Sequence, residues 1–177
     1  LYMEVLDLKR LVEQTLADMD DQIERSGQPV RTALPELPVF AMADGRKLYR
    51  VFQNIMDNAL KYSMPGTRIY VSMSVADMKA RVVVKTTSSY EMDFTSDEIL
   101  ERFVRGDKSR TTEGSGLGLS IADGFTRALG GELKVSIDGD QFRVELVFPV
   151  TIPQNDEPEE EEPEPLPPGM RERMDLL

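Results

Sequence analysis

Five polar residues, Arg50, Asn54, Asp57, Asn58 and Lys61, fall within roughly 100° of one helix face when each residue advances the helix by about 100°. Read plainly, such a face is solvated surface. Read chemically, two asparagines one turn apart offer neutral oxygens to a hard cation, and Lys61 offers positive charge to phosphate one turn further on. Magnesium held with a nucleotide takes that kind of sparse oxygen set, completed by water and phosphate oxygens.

A second cluster lies at Gly114, Gly116 and Gly118, interleaved with Ser115, Leu117 and Leu119, and it opens a helix. Glycines let backbone N–H groups approach a ligand closely, and a helix N-terminus adds partial positive charge, so phosphate binding is the functional reading. A flexible loop is the plain alternative. No strand runs directly into these glycines and no Gly-Lys-Ser/Thr follows, which excludes the dinucleotide fingerprint and the Walker loop. Arg102, Arg105, Lys108 and Arg110 stand just upstream, where a flap could close over anionic oxygens.

Other chemistry is excluded by absence. The 177 residues contain no cysteine and no histidine, so disulfides, thiolate zinc sites, His-ligated metals and Ser-His or Cys-His triads cannot be built from this chain. The formal net charge is -11, from 32 acids against 21 bases, but nine of those acids and only two of the bases follow Thr151. The body is therefore nearly balanced, and it lacks the broad basic field that nucleic-acid binding requires. No apolar run reaches the roughly 20 residues of a membrane span, so no direct membrane contact is expected of this chain.

The elements that must position these clusters follow from periodicity and punctuation. Asp7 caps a helix expected over 7–25, with Leu8, Leu11, Val12, Leu16, Met19 and Ile23 as its apolar stripe. Val30 to Leu34 and Val39 to Met42 read as short extended segments around Pro35 and Pro38. Asp44 caps a second helix reaching Tyr62, and Met64-Pro65-Gly66 stops it. Two hairpins are expected, 68–75 with 80–87 and 132–137 with 142–148, separated by a short helix over 95–103 and a longer one over 117–129. The order makes the fold α+β. Two regions result: a body over 1–150, with a flexible lid at about 93–115, and an acidic, proline-rich tail over 151–177 that cannot bury enough apolar area to offset its ordering entropy.

Taken together, the clusters resemble a known family across the body. Asn54-Ile-Met-Asp-Asn58-Ala-Leu-Lys61-Tyr62-Ser is similar to the N box of the histidine-kinase catalytic domain, Glu101-Arg-Phe103-Val-Arg105-Gly-Asp107 to its F box, and Gly114 to Leu119 to its G2 box. The resemblance implies the two-layer Bergerat-type ATP-binding sandwich of the GHKL superfamily, a mixed sheet covered by about three helices on one face. It implies ATP and Mg2+ as cofactors and transfer of the γ-phosphoryl to a histidine on dimerisation helices outside this chain, for relay to a response regulator. By the same resemblance Asn58 is the magnesium ligand and Asn54 supports it. Lys61, Tyr62 and Lys108 lie near the phosphates, and Arg105 is a lid arginine at the γ-phosphate. Gly114, Gly116 and Gly118 form the phosphate cradle with Leu117 and Leu119 beside them. The family further implies a cytoplasmic portion of a membrane-anchored sensor.

One segment departs from the pattern. Where the family carries Asp-x-Gly-x-Gly, its G1 box, this chain has Thr86-Thr87-Ser88-Ser89-Tyr90. Thr86 can still accept a hydrogen bond from an adenine amino group, but a neutral hydroxyl binds more weakly than a carboxylate. The eroded box leaves a second expectation standing: a degenerate domain that senses nucleotide or docks a partner. A GHKL ATPase of the gyrase or chaperone kind is disfavoured, since the N-box face offers no Glu to activate water.

Overall fold

A computed structural model describes residues 1–88 and 117–153. The expected lid, the helix over 95–103 and the acidic tail from 154 lie outside the described residues. The elements run β1 (Glu4–Asp7), α1 (Leu8–Asp18), α2 (Asp20–Ser26), β2 (Val30–Ala33), β3 (Phe40–Ala43), α3 (Gly45–Tyr62), β4 (Ile69–Ala76), β5 (Lys79–Thr87), α4 (Leu117–Ala128), β6 (Glu132–Asp138) and β7 (Gln141–Pro149).

Five strands form a mixed sheet in the order β2-β4-β5-β7-β6, with β2 parallel to β4 and every other pair antiparallel. Alternation along the strands assigns the two faces. Ile69, Val71 and Met73 of β4, Val82 and Val84 of β5, and Val144, Leu146 and Phe148 of β7 are buried. Their neighbours Tyr70, Lys85 and Arg143 are exposed. Helices α3 and α4 pack against each other over the apolar face, and α1 packs on α3. Phe52, Ile55 and Met56 of α3 and Leu119 and Ala122 of α4 complete one core with the strands. This is the two-layer α+β architecture expected from the sequence.

Two local features differ from the sequence reading. The helix expected over 7–25 is two helices, broken at Met19, whose φ of -95° and ψ of 5° leave the helical region. Thr15, fully buried, donates its hydroxyl to the Leu11 carbonyl at 2.7 Å, a back-bond that bends helices just before this break. Asp20 and Asp21 then complement the new N-terminus. The apolar stripe continues through the kink, so spacing alone does not reveal it. Strand β1 was not expected either. It pairs antiparallel with β3, Val5 opposite Met42, across a separation in sequence that periodicity does not register.

The start of α3 is fixed as expected. Asp44 Oδ1 accepts from the N–H groups of Arg46 and Lys47, and its Oδ2 accepts from Tyr2 N–H at 3.0 Å. These donors, Tyr2 foremost, hold the Asp44 carboxyl below its ordinary value. At the other end of the chain, α4 closes in a Schellman motif: Gly130, with φ of 82°, donates to Arg127 and Gly131 to Thr126. Gly131 then passes so close to the Phe148 ring that an added Cβ would lie 2.5 Å from Cε1.

Two measurements check this account. Gly131→Ala is expected to destabilise the fold by about 1–3 kcal/mol through overpacking against Phe148, read from urea denaturation; a neutral effect would mean the ring gives way freely. Because the native pKa of Asp44 is lowered, its stabilisation is fully present above the ordinary Asp value of about 3.9 and is lost as pH falls through the lowered native value. Asp44→Asn should therefore flatten the acid limb of the stability curve, and an unaltered limb would assign that limb to other carboxylates.

Candidate functional site

The amide-bearing helix face is held at both ends. After α3 the chain turns at Ser63, whose hydroxyl donates to Gln28 Oε1 at 2.7 Å while Gln28 Nε2 donates to the Ser63 carbonyl at 3.0 Å. Both residues are buried, so this reciprocal pair is shielded from competing water. One residue on, Met64 N–H donates to the Thr87 carbonyl at 2.7 Å, which ties the exit of α3 to the end of β5. Ser88 N–H in turn donates to Asp140 in the β6–β7 turn. Gln28 is a positioning residue that sequence reasoning missed: it lies in an irregular segment, 35 positions from its partner, and nothing in its neighbourhood marks it.

Within this frame Asn54 and Asn58 lie one turn apart on α3. Asn58 is 8% exposed. Asn54 is partly buried, and its Nδ2 is sealed from solvent with no hydrogen-bond partner among the described residues. A buried amide donor left unmade costs about 1–3 kcal/mol, and no partner for this one stands among the described residues. The start of α4 approaches this point. A Cβ on Gly118 would sit 3.8 Å from the Asn54 carbonyl oxygen and 3.9 Å from its Cβ, ordinary contact distances. Gly118 is therefore not demanded by helix packing. Leu119 is fully buried and anchors the first turn of α4.

The other expected residues are distributed as follows. Lys61 and Tyr62 are exposed on the last turn of α3. Thr86 and Ser88 are buried, 6% and 4% exposed, at the end of β5, and Thr86 alternates with Val84 on the sheet face that the helices cover. Leu117 is the first residue of α4. Asp57, on the same face of α3, is engaged structurally, accepting from Gln22 Nε2 of α2 at 2.9 Å. The structure thus brings together the second half of α3, the end of β5 and the start of α4. Arg105, Lys108, Gly114 and Gly116 lie outside the described residues.

The donor set fits a nucleotide with a hard cation. The unpaired Asn54 amide can serve an oxygen acceptor, or present its own oxygen after rotation about the last torsion. Neutral amide oxygens beside a helix N-terminus suit Mg2+ that is otherwise ligated by phosphate and water.

Comparison with known proteins identifies the family and the fold. A family model described as histidine kinase-, DNA gyrase B- and HSP90-like ATPase matches residues 43–152. The signal transduction histidine-protein kinase/phosphatase MprB of Mycolicibacterium smegmatis is 35% identical over 128 residues, covering 67% of this chain and 26% of MprB. The adaptive-response sensory kinase SasA of Thermosynechococcus vestitus is 32% identical over 132 residues, covering 73% of this chain and 34% of SasA. This chain spans about a quarter to a third of the length of such curated relatives. Among solved structures, full-length ShkA in complex with AMPPNP superposes with a TM-score of 0.71 at 23% identity, over 86% of this chain and 32% of that one, a likeness of fold.

The orphaned amide yields a test independent of catalysis. Asn54→Leu, close in shape and without a donor, is expected to stabilise the nucleotide-free protein by about 1 kcal/mol in urea denaturation. A loss of stability would show that the amide is satisfied in solution.

Proposed function

Because this chain belongs to the histidine kinase-, DNA gyrase B- and HSP90-like ATPase family, we propose that it is the ATP-binding catalytic domain of a two-component sensor histidine kinase. The observation that supports the reading is the buried Asn54 amide, without a hydrogen-bond partner among the described residues, on a helix whose Asn54 backbone lies in contact range of Gly118 at the start of α4. In this reading Asn58 ligates Mg2+ through its amide oxygen and Asn54 supports the same ligand shell. Lys61 and Tyr62 stand toward the phosphates, and the backbone of Gly114, Gly116 and Gly118 cradles them. Arg105 and Lys108 neutralise charge at the transferring group, while Thr86 accepts from the adenine amino group. Mg2+ supplies charge neutralisation across the phosphate oxygens when bound.

The chain has no histidine, so the acceptor comes from elsewhere, by family from dimerisation helices of the same parent protein. An imidazole nitrogen attacks the γ-phosphorus, the bond to the β–γ bridging oxygen breaks, and ADP leaves. The phosphoryl group then passes to an aspartate of a response regulator. Phosphoryl transfer of this kind depends on positioning and charge, which a site without His or Cys can supply. No helix among the described residues is long and apolar enough to cross a membrane; the parent, by family, is a membrane-anchored sensor with this domain in the cytoplasm.

A second reading rests on Thr86 and Ser88. Their burial at the end of β5, in a segment without the family's Asp and glycines, favours weakened adenine recognition and a domain that senses nucleotide without turning it over.

Transfer of the γ-phosphoryl to a histidine on the parent's dimerisation helices separates the two, and calorimetric titration with ATP and GTP, each with and without Mg2+, tests the nucleotide binding that transfer requires. Magnesium-dependent, ATP-selective binding is expected, with Asn58→Ala weakening it about tenfold or more, the equivalent of ~1.4 kcal/mol, in a protein whose circular dichroism is unchanged. Folded protein that binds neither nucleotide would overturn the kinase reading.

A further inference from the structure

The solvent face of the sheet carries a charge pattern that nucleotide binding does not use. Arg31, Tyr70, Lys85 and Arg143 are register partners across four adjacent strands, β2, β4, β5 and β7, and so form one row across the sheet. Arg68 precedes Tyr70 by two positions and joins the same face. These four cations are exposed and line a shallow trough of about 620 Å³. Among the described residues no carboxylate forms an ion pair with any of them, although Arg81 and Glu145, one row or two along, pair at 3.0 Å. Lys85 rests over the Tyr70 ring at 5.4 Å. Like charges directly opposite on neighbouring strands, as Lys85 and Arg143 are, destabilise a sheet. In a chain of net charge -11 this row is an anomaly unless an anion covers it.

The chain itself carries such an anion. Positions 156–164 hold seven acids in nine residues: Asp156, Glu157, Glu159 to Glu162 and Glu164. Pro158 and Pro163 oppose helix within the run and favour an extended chain suited to lying on a sheet. Arg143 is six residues before Pro149 on β7, a separation of about 20 Å. Pro153 lies at most about 13 Å beyond Pro149, which puts the row at most about 33 Å from it, and an extended chain from Pro153 to Glu164 reaches about 37 Å, enough for the acidic segment to fold back along β7 to the row. We propose that the acidic segment 156–164 docks on the Arg31, Lys85 and Arg143 row of its own chain, which makes the outer sheet face an intramolecular binding surface for an acidic peptide.

Zero-length carbodiimide coupling of the full chain tests this, because it joins a lysine to a carboxylate only on contact. Lys79 is the stringent reference: it lies opposite Pro149 on the same sheet face, nearer the start of the tail, so an undocked segment would couple there first. The expected result, read by peptide mass spectrometry at low ionic strength, is coupling of Lys85 to 156–164 about threefold or more above Lys79 and Lys134. That excess should vanish in the surface variant Arg31→Ser/Arg143→Ser, and near 1 M salt, where the Debye length is about 3 Å. Coupling that favours Lys79 or Lys108, or that joins isotopically distinct chains in a mixture, would overturn the proposal.

Discussion

The candidate site depends on where α3 lies, because this helix buries one side against the sheet and carries Asn54 and Asn58 beside that buried stripe. Two sets of hydrogen bonds fix it. Asp44 gathers the first N–H groups of the helix together with Tyr2 from the start of the chain, and the Gln28–Ser63 pair with the Met64–Thr87 bond pins its exit to β2's approach and β5's end. Between them lie Val51, Phe52, Ile55 and Met56, each at most 1% exposed. Interiors packed to this density tolerate little rotation. The angular position of Asn54 and Asn58 is thus set by the hydrophobic side of the same helix.

That arrangement explains why polar groups can stand half-buried where they are useful. The Asn54 amide has no hydrogen-bond partner among the described residues. Asp57, only three residues on, illustrates the contrast, since its carboxylate is engaged by Gln22. Neighbouring polar residues on one face therefore differ in whether the described scaffold engages them.

How much of this was legible in the sequence depends on the range of the interaction. The cap at Asp44, the apolar stripe of α3, the two hairpins and the glycine-led start of α4 are written in neighbouring residues, and they are found where spacing put them. The amides were visible as a face because helical periodicity is local. Gln28 and Ser63 were not, since two ordinary residues 35 positions apart carry no shared signal until the fold brings them together. The kink at Met19 stayed hidden because Leu16, Met19 and Ile23 satisfy the same periodicity on either side of it. The β1–β3 pair and the parallel β2–β4 pair stayed hidden for the Gln28 reason, their registers being set by tertiary contact. The row of cations across the sheet also needed the register, which no single strand discloses.

The strand order also leaves β2 and β6 as the two borders of the sheet. Open borders invite pairing with other chains and lead to aggregation. Here β2 is four residues long, with Pro29 just before it and Arg31 within it, and β6 carries Glu132 and Lys134 among its outward positions. Short length, a proline and charge are the devices by which sheets refuse further strands. Among the described residues, both borders of the sheet thus carry features that discourage a further strand from pairing there.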